Sequence, residues 1–169
     1  MFRNLMPLLA RDFHVLAPDL IGFGNSAAPS RESFEYSFEN LTGFLAALKV
    51  DQYFLYVFDY GAPIGFRLAM RQPERVLGIV SQNGNIYQEG LGPKWAERAK
   101  YWANPTPEPR AQYESAFAPE TIKGQYLTGE KPGTVGPDGY SLDIAHTTEP
   151  GYAERQDDLI FDYQTNVAL

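Results

Sequence analysis

The chain has 169 residues, 44% of them hydrophobic and 21% charged, enough to enclose the core of one domain. It has no cysteine, which excludes disulfides, thiol nucleophiles and thiolate metal ligands, and its two histidines, His14 and His146, stand too far apart to suggest a dedicated metal site. A net charge of −7 opposes nucleic acid and anionic membrane surfaces, and no apolar run approaches the ~20 residues that span a bilayer.

Phe2, Leu5, Met6 and Leu9 are spaced to share one face of a short helix over residues 2 to 11. Phe13-His14-Val15-Leu16-Ala17 reads as a strand, and Pro18-Asp19-Leu20-Ile21-Gly22-Phe23-Gly24-Asn25-Ser26 as a loop whose two glycines let the backbone turn close to a sheet. No helix pattern opens at Gly24 and a third glycine is missing, so this is not a dinucleotide fingerprint. From Ser37, a plausible N-cap, the residues Phe38, Leu41, Phe44, Leu45 and Leu48 follow helical spacing.

Tyr53 to Phe58 is an unbroken apolar and aromatic run, the pattern of a strand buried on both faces. It stops at Asp59, which is followed by Tyr60, Gly61, Ala62 and a helix carrying Pro63 in its first turn, with Gly65 and Ala69 as a thin face for sheet packing. A strand, a sharp turn bearing one reactive side chain, and a helix make up a nucleophile elbow; the plainer alternative is that Asp59 only caps the helix. Val76 to Val80 gives another short strand. Strands and helices alternate to residue 82, which predicts an α/β fold with a doubly wound parallel sheet. Beyond Asn83 the chain reads as helices between Pro and Gly breaks, at about 94 to 103, 108 to 117, 119 to 126 and 152 to 168, with a Pro/Gly-rich loop over 129 to 139.

Two stretches carry a resemblance. The Pro18 to Ser26 loop, 40 residues before Asp59, and the elbow at Val57-Phe58-Asp59-Tyr60-Gly61-Ala62 resemble the α/β-hydrolase superfamily, in the branch of epoxide hydrolases and haloalkane dehalogenases, which uses Asp as nucleophile. Val57 and Phe58 depart from the small residue and the His usual there. The resemblance implies a core over residues 1–82 with the elbow and a helical cap over 83–169. It implies that Asp59 attacks an electrophilic carbon to form an alkyl ester, with the backbone N–H of Tyr60 in the oxyanion hole of the second step. It further implies that a cap tyrosine protonates the epoxide oxygen, with Tyr101, Tyr113, Tyr152 and Tyr163 as candidates.

In the dehalogenases of this branch a Trp usually follows the nucleophile and holds the halide; Tyr60 stands there instead, which favours epoxide over halide chemistry. The resemblance covers nearly all of the chain, yet the chain matches only the middle of the family's length. The family's first strands with the second oxyanion loop, and its last strands with the orienting acid and the catalytic His, have no counterpart here. His146 is the one internal substitute for that base, and its plainer reading is a solvated loop residue; His14 reads as a strand residue without a role. The expectation is therefore a truncated form that forms the ester but does not release it. A non-catalytic binding protein on the same fold is the alternative from another class. The resemblance calls for no cofactor, and the composition suits a small, largely apolar substrate. Three strands without neighbours leave open edges, so self-association is possible. The N-terminus lacks a secretory apolar core, which predicts a cytoplasmic protein.

Overall fold

In the computed structural model, residues 1–27, 34–106 and 115–167 are described. The centre is a βαβ unit: strand β1 (Tyr53–Phe58), a helix (Gly61–Arg71), and strand β2 (Val76–Gln82), the two strands parallel with Leu55 opposite Ile79 and Phe58 opposite Gln82. Before it come α1 (Met6–Leu9), preceded by a 3₁₀ turn at Phe2–Asn4, and α2 (Phe34–Ala47), so the Gly61–Arg71 helix is α3. After β2 follow α4 (Lys94–Ala103), α5 (Pro119–Leu127), α6 (Ser141–Thr147), α7 (Tyr152–Asp162) and α8 (Gln164–Val167).

Helices α2 and α3 pack on one face of the sheet. Leu45 of α2 and Leu68 of α3, 6% and 0% exposed, close over Tyr53 and Leu55, and Leu16 joins them from the N-terminal segment. Gly65 lets α3 approach β1, because a Cβ there would lie 2.4 Å from Val57 Cγ1. The opposite face is only partly covered. Phe2 meets Tyr56 and Phe58 edge-on at 5.4 and 6.1 Å, and Phe13 meets Phe54 at 5.9 Å.

Burial of β1 on both faces is therefore not what the structure shows: Phe54 and Tyr56 remain 58% and 42% exposed, because only alternate residues point into the α2–α3 core. The strand expected over 13 to 17 is a second correction. Those residues run without ladder hydrogen bonds, since the described sheet is β1 and β2 alone and a strand needs a hydrogen-bonded neighbour. The helix over 2 to 11 divides into the 3₁₀ turn and α1, with Pro7 in the first turn of the new helix, where its missing N–H costs nothing. Ser37 is not an N-cap, because α2 already begins at Phe34.

The helix expected over 108 to 117 falls mostly outside the described residues, and its end is a 3₁₀ turn at Ser115–Phe117. The predicted 152 to 168 helix breaks at Tyr163 into α7 and α8. His146 is on a helix, α6, and not in a loop, and its Nδ1 lies 2.9 Å from Glu149 Oε1. The Gly/Pro composition just before α6 hid that helix, which is only 7 residues long. Among the described residues no helix is long and apolar enough to cross a membrane.

Candidate active site

The turn between β1 and α3 holds Asp59 at φ +44°, in the left-handed region that side chains other than Gly, Asn and Asp rarely enter. Tyr60 follows in right-handed geometry and leads into α3, and the N–H of Ala62 donates to the Asp59 carbonyl at 3.0 Å. The result is a strained strand-to-helix turn whose carboxylate is exposed at the end of the sheet, beside the positive end of an 11-residue helix. Just beyond β2, Asn83 also has a positive φ, +48°, and Gly84 lets this turn press on the start of α3; a Cβ on Gly84 would lie 2.6 Å from Ala62 Cβ.

The Pro18 to Ser26 loop is shaped by Asp19. Its carboxylate accepts the Asn25 N–H at 3.1 Å, and the Ser26 hydroxyl donates to its carbonyl at 2.7 Å. Gly22 and Gly24 take φ +86° and +49°, and a Cβ on Gly24 would sit 2.3 Å from Asp19 Oδ2, so glycine is required there on two counts. The loop sets Phe23 against Tyr60, ring centroids 5.7 Å apart.

Helices α4 and α7 complete an aromatic enclosure over the elbow. Tyr163, at the break after α7, meets the Tyr60 ring edge-on at 5.9 Å, and Trp95 of α4 lies 4.7 Å from Tyr163 and 6.0 Å from Trp102. Trp102 donates its indole N–H to the Ile160 carbonyl at 2.8 Å, tying α4 to α7. Ile64, 1% exposed, and Leu159 form the floor. Burial pushes the Tyr60 hydroxyl well above the ordinary phenol range; the Arg98 guanidinium pulls the other way, and the Asp59 carboxylate adds to the rise. Burial also raises Tyr163, and Asp59 raises it further against Arg98. Both phenols thus sit within the field of the Asp59 carboxylate and hold their protons more tightly than a free tyrosine.

Of the tyrosines singled out in the sequence, Tyr60 and Tyr163 come together beside Asp59. Tyr152 packs against Phe117 at 5.7 Å and is raised chiefly by burial. Tyr101, 3% exposed, packs edge-on against Phe161 at 5.9 Å. Tyr113 lies outside the described residues. No hydrogen bond or ring contact joins His14 or His146 to Asp59 among the described residues, nor is there among them a cluster of His and carboxylates able to hold a metal.

Four neighbours of the site escaped the sequence reading. Arg98 stacks over Trp95 with its Cζ 4.4 Å from the ring. Gln156, 1% exposed, donates to the Gly22 carbonyl at 3.4 Å and so ties α7 to the glycine loop, with Asp157 fully buried beside it. Arg67, 6% exposed on α3, is bound to Thr165 and Asn166 of α8. A signal was present for two of them. Arg67 stands in the Ile64–Leu68 stripe of α3, and Gln156 in the Tyr152–Leu159–Ile160 stripe of α7, polar residues at core positions.

Residues 1–118 match the family model described as the alpha/beta hydrolase fold. The chain belongs to the α/β-hydrolase fold family. It is 42% identical over 178 aligned residues to an uncharacterized hydrolase of Saccharomyces cerevisiae, covering 100% of this chain and 61% of the yeast protein. It is 39% identical over 89 residues to a haloalkane dehalogenase of Mycolicibacterium paratuberculosis, covering 50% of this chain and 29% of the other. The solved structure of the epoxide hydrolase CorEH superposes with a TM-score of 0.74 at 18% identity, covering 98% of this chain and 62% of that one. This chain of the family thus spans about three fifths of the yeast relative and of CorEH.

Proposed function

We propose that this hydrolase-family chain opens an epoxide through a covalent ester on Asp59. The observation that carries the reading is the pair of phenols, Tyr60 and Tyr163, beside an exposed carboxylate held at positive φ. In the proposed step an Asp59 carboxylate oxygen bonds to an epoxide carbon, the ring C–O bond breaks, and Tyr163 gives its proton to the departing oxygen before regaining one from solvent. An acid whose proton affinity is raised stays protonated throughout the neutral range, which a proton donor requires. The aromatic walls suit a small, largely apolar substrate. In this reading residues 1–82 form the core that presents the nucleophile and 83–169 the cap that covers it. The Tyr60 N–H, at the start of α3, is proposed to stabilise the oxyanion when water cleaves the ester. Among the described residues no hydrogen bond joins either histidine to Asp59, and His146 Nδ1 is engaged with Glu149, so the 169-residue chain is expected to accumulate the ester and release little diol.

A second reading, haloalkane dehalogenase, is favoured by the 39% identity over half of the chain to the mycobacterial dehalogenase and by Trp95, an indole in the same enclosure whose ring lies 4.7 Å from that of Tyr163. Incubation with styrene oxide and, separately, with 1-chlorobutane discriminates the two. The epoxide reading predicts stoichiometric consumption of styrene oxide, lost in Asp59→Asn, with chloride release slower than epoxide consumption. Chloride release faster than epoxide consumption assigns the second reading. Inertness toward both leaves a binding protein.

A further inference from the structure

The elbow helix and the tyrosine that faces it are joined by one buried side chain. Arg67 projects from α3, 8 residues after Asp59, and is 6% exposed. Its Nε and one terminal nitrogen both donate to Asn166 Oδ1, at 3.1 and 2.9 Å, and that nitrogen also reaches Thr165 Oγ1 at 3.3 Å. Thr165 and Asn166 are in α8, two and three residues after Tyr163, where α7 breaks. The chain therefore leaves Tyr163 and is fastened at once to the helix that carries the nucleophile. A forked guanidinium gripping one oxygen from two sides fixes direction as well as distance, which an ammonium does not.

We propose that Arg67 is a positioning residue, which holds Tyr163 in reach of an epoxide oxygen at Asp59 by clamping α8 to α3. The proposal rests on the reading of Asp59 as nucleophile and Tyr163 as acid. Burying a guanidinium is costly unless its hydrogen bonds are made, so the clamp holds one arrangement of the Tyr163 break and disfavours others. Arg67 itself touches no reacting atom; it acts through Tyr163.

The test uses two alkylating probes that differ in their need for an acid. Opening styrene oxide leaves an alkoxide that takes the Tyr163 proton, whereas 1-iodobutane gives its butyl group to the Asp59 carboxylate and expels iodide, which takes none. The rate of ester formation at Asp59 is read by peptide mapping for the wild-type chain and for Tyr163→Phe, Arg67→Gln and the double variant. Tyr163→Phe and Arg67→Gln are each expected to slow styrene oxide about 10-fold or more and to leave 1-iodobutane within about 2-fold, and the double variant to be no slower than either single one. Should Arg67→Gln fail to fold, Asn166→Ala opens the clamp from the other side and is expected to give the same selective loss, while Asn166→Asp keeps the clamp and the wild-type ratio.

Equal slowing of both probes by Arg67→Gln makes Arg67 a purely structural residue and overturns the inference. So does an unchanged ratio, or a double variant whose losses multiply. Those outcomes leave the Asp59 reading intact. A wild-type chain that forms no ester with either probe overturns that reading, and the inference with it.

Discussion

Asp59 sits at φ +44° and pays for its exposure at the turn with backbone strain that glycine would not feel. Asp59→Gly is therefore expected to raise resistance to urea by about 1 kcal/mol while removing the only carboxylate at the elbow, whereas Asn, which tolerates the left-handed region, leaves stability near the wild-type value. A loss of stability in Asp59→Gly would mean that the carboxylate's interaction with the start of α3 outweighs the strain. This position was legible in the sequence because an apolar strand ran straight into a carboxylate and small residues. Tyr163 was legible only as one of four candidate acids, with Tyr101, Tyr113 and Tyr152, since nothing in the sequence says which faces of α4 and α7 turn toward the elbow. Arg67 and Gln156 interrupt apolar stripes. An alternation of that kind looks like an ordinary amphipathic edge until the partners, Asn166 and the Gly22 carbonyl, are seen.

At the scale of elements, the fit of α3 on β1 depends on Gly65. Gly65→Ala would put a methyl group 2.4 Å from Val57 Cγ1 and force the helix outward, at an expected cost of about 1–3 kcal/mol in denaturant unfolding. Adding Val57→Ala is expected to recover part of that loss; additive losses would show that the two sites do not share this contact. The β1–α3–β2 unit and the glycine loop were readable because local rules agree with the fold there: an apolar run, a turn, a helix, and glycines where φ is positive. The 13 to 17 segment was misread because its composition suits a strand, while pairing depends on a neighbour that composition cannot supply. Helix α6 was missed for the opposite reason, a short helix behind a Pro/Gly-rich approach.

For the whole molecule, burial of phenols couples folding to alkaline pH. Tyr60, Tyr152 and Tyr163 are all raised above the ordinary value by burial, so above pH about 10 the unfolded chain sheds protons that the folded chain keeps. Stability is expected to be level with respect to these groups below that pH and to fall as pH rises beyond it. A denaturation midpoint unchanged between pH 9 and 11 would contradict the burial of the aromatic enclosure. The open sheet face, with Phe54, Tyr56 and Val80 exposed, was foreseen only as open strand edges; which side chains face outward follows from α2 and α3 sharing one face.

The proposed function turns on Asp59 being the carboxylate that an epoxide alkylates, out of the 21 acidic residues of the chain. Peptide mapping of the chain after limited exposure to styrene oxide tests it most directly. The account predicts one ester, on Asp59, absent from Asp59→Asn. Labelling spread over several carboxylates, or undiminished in Asp59→Asn, would contradict it.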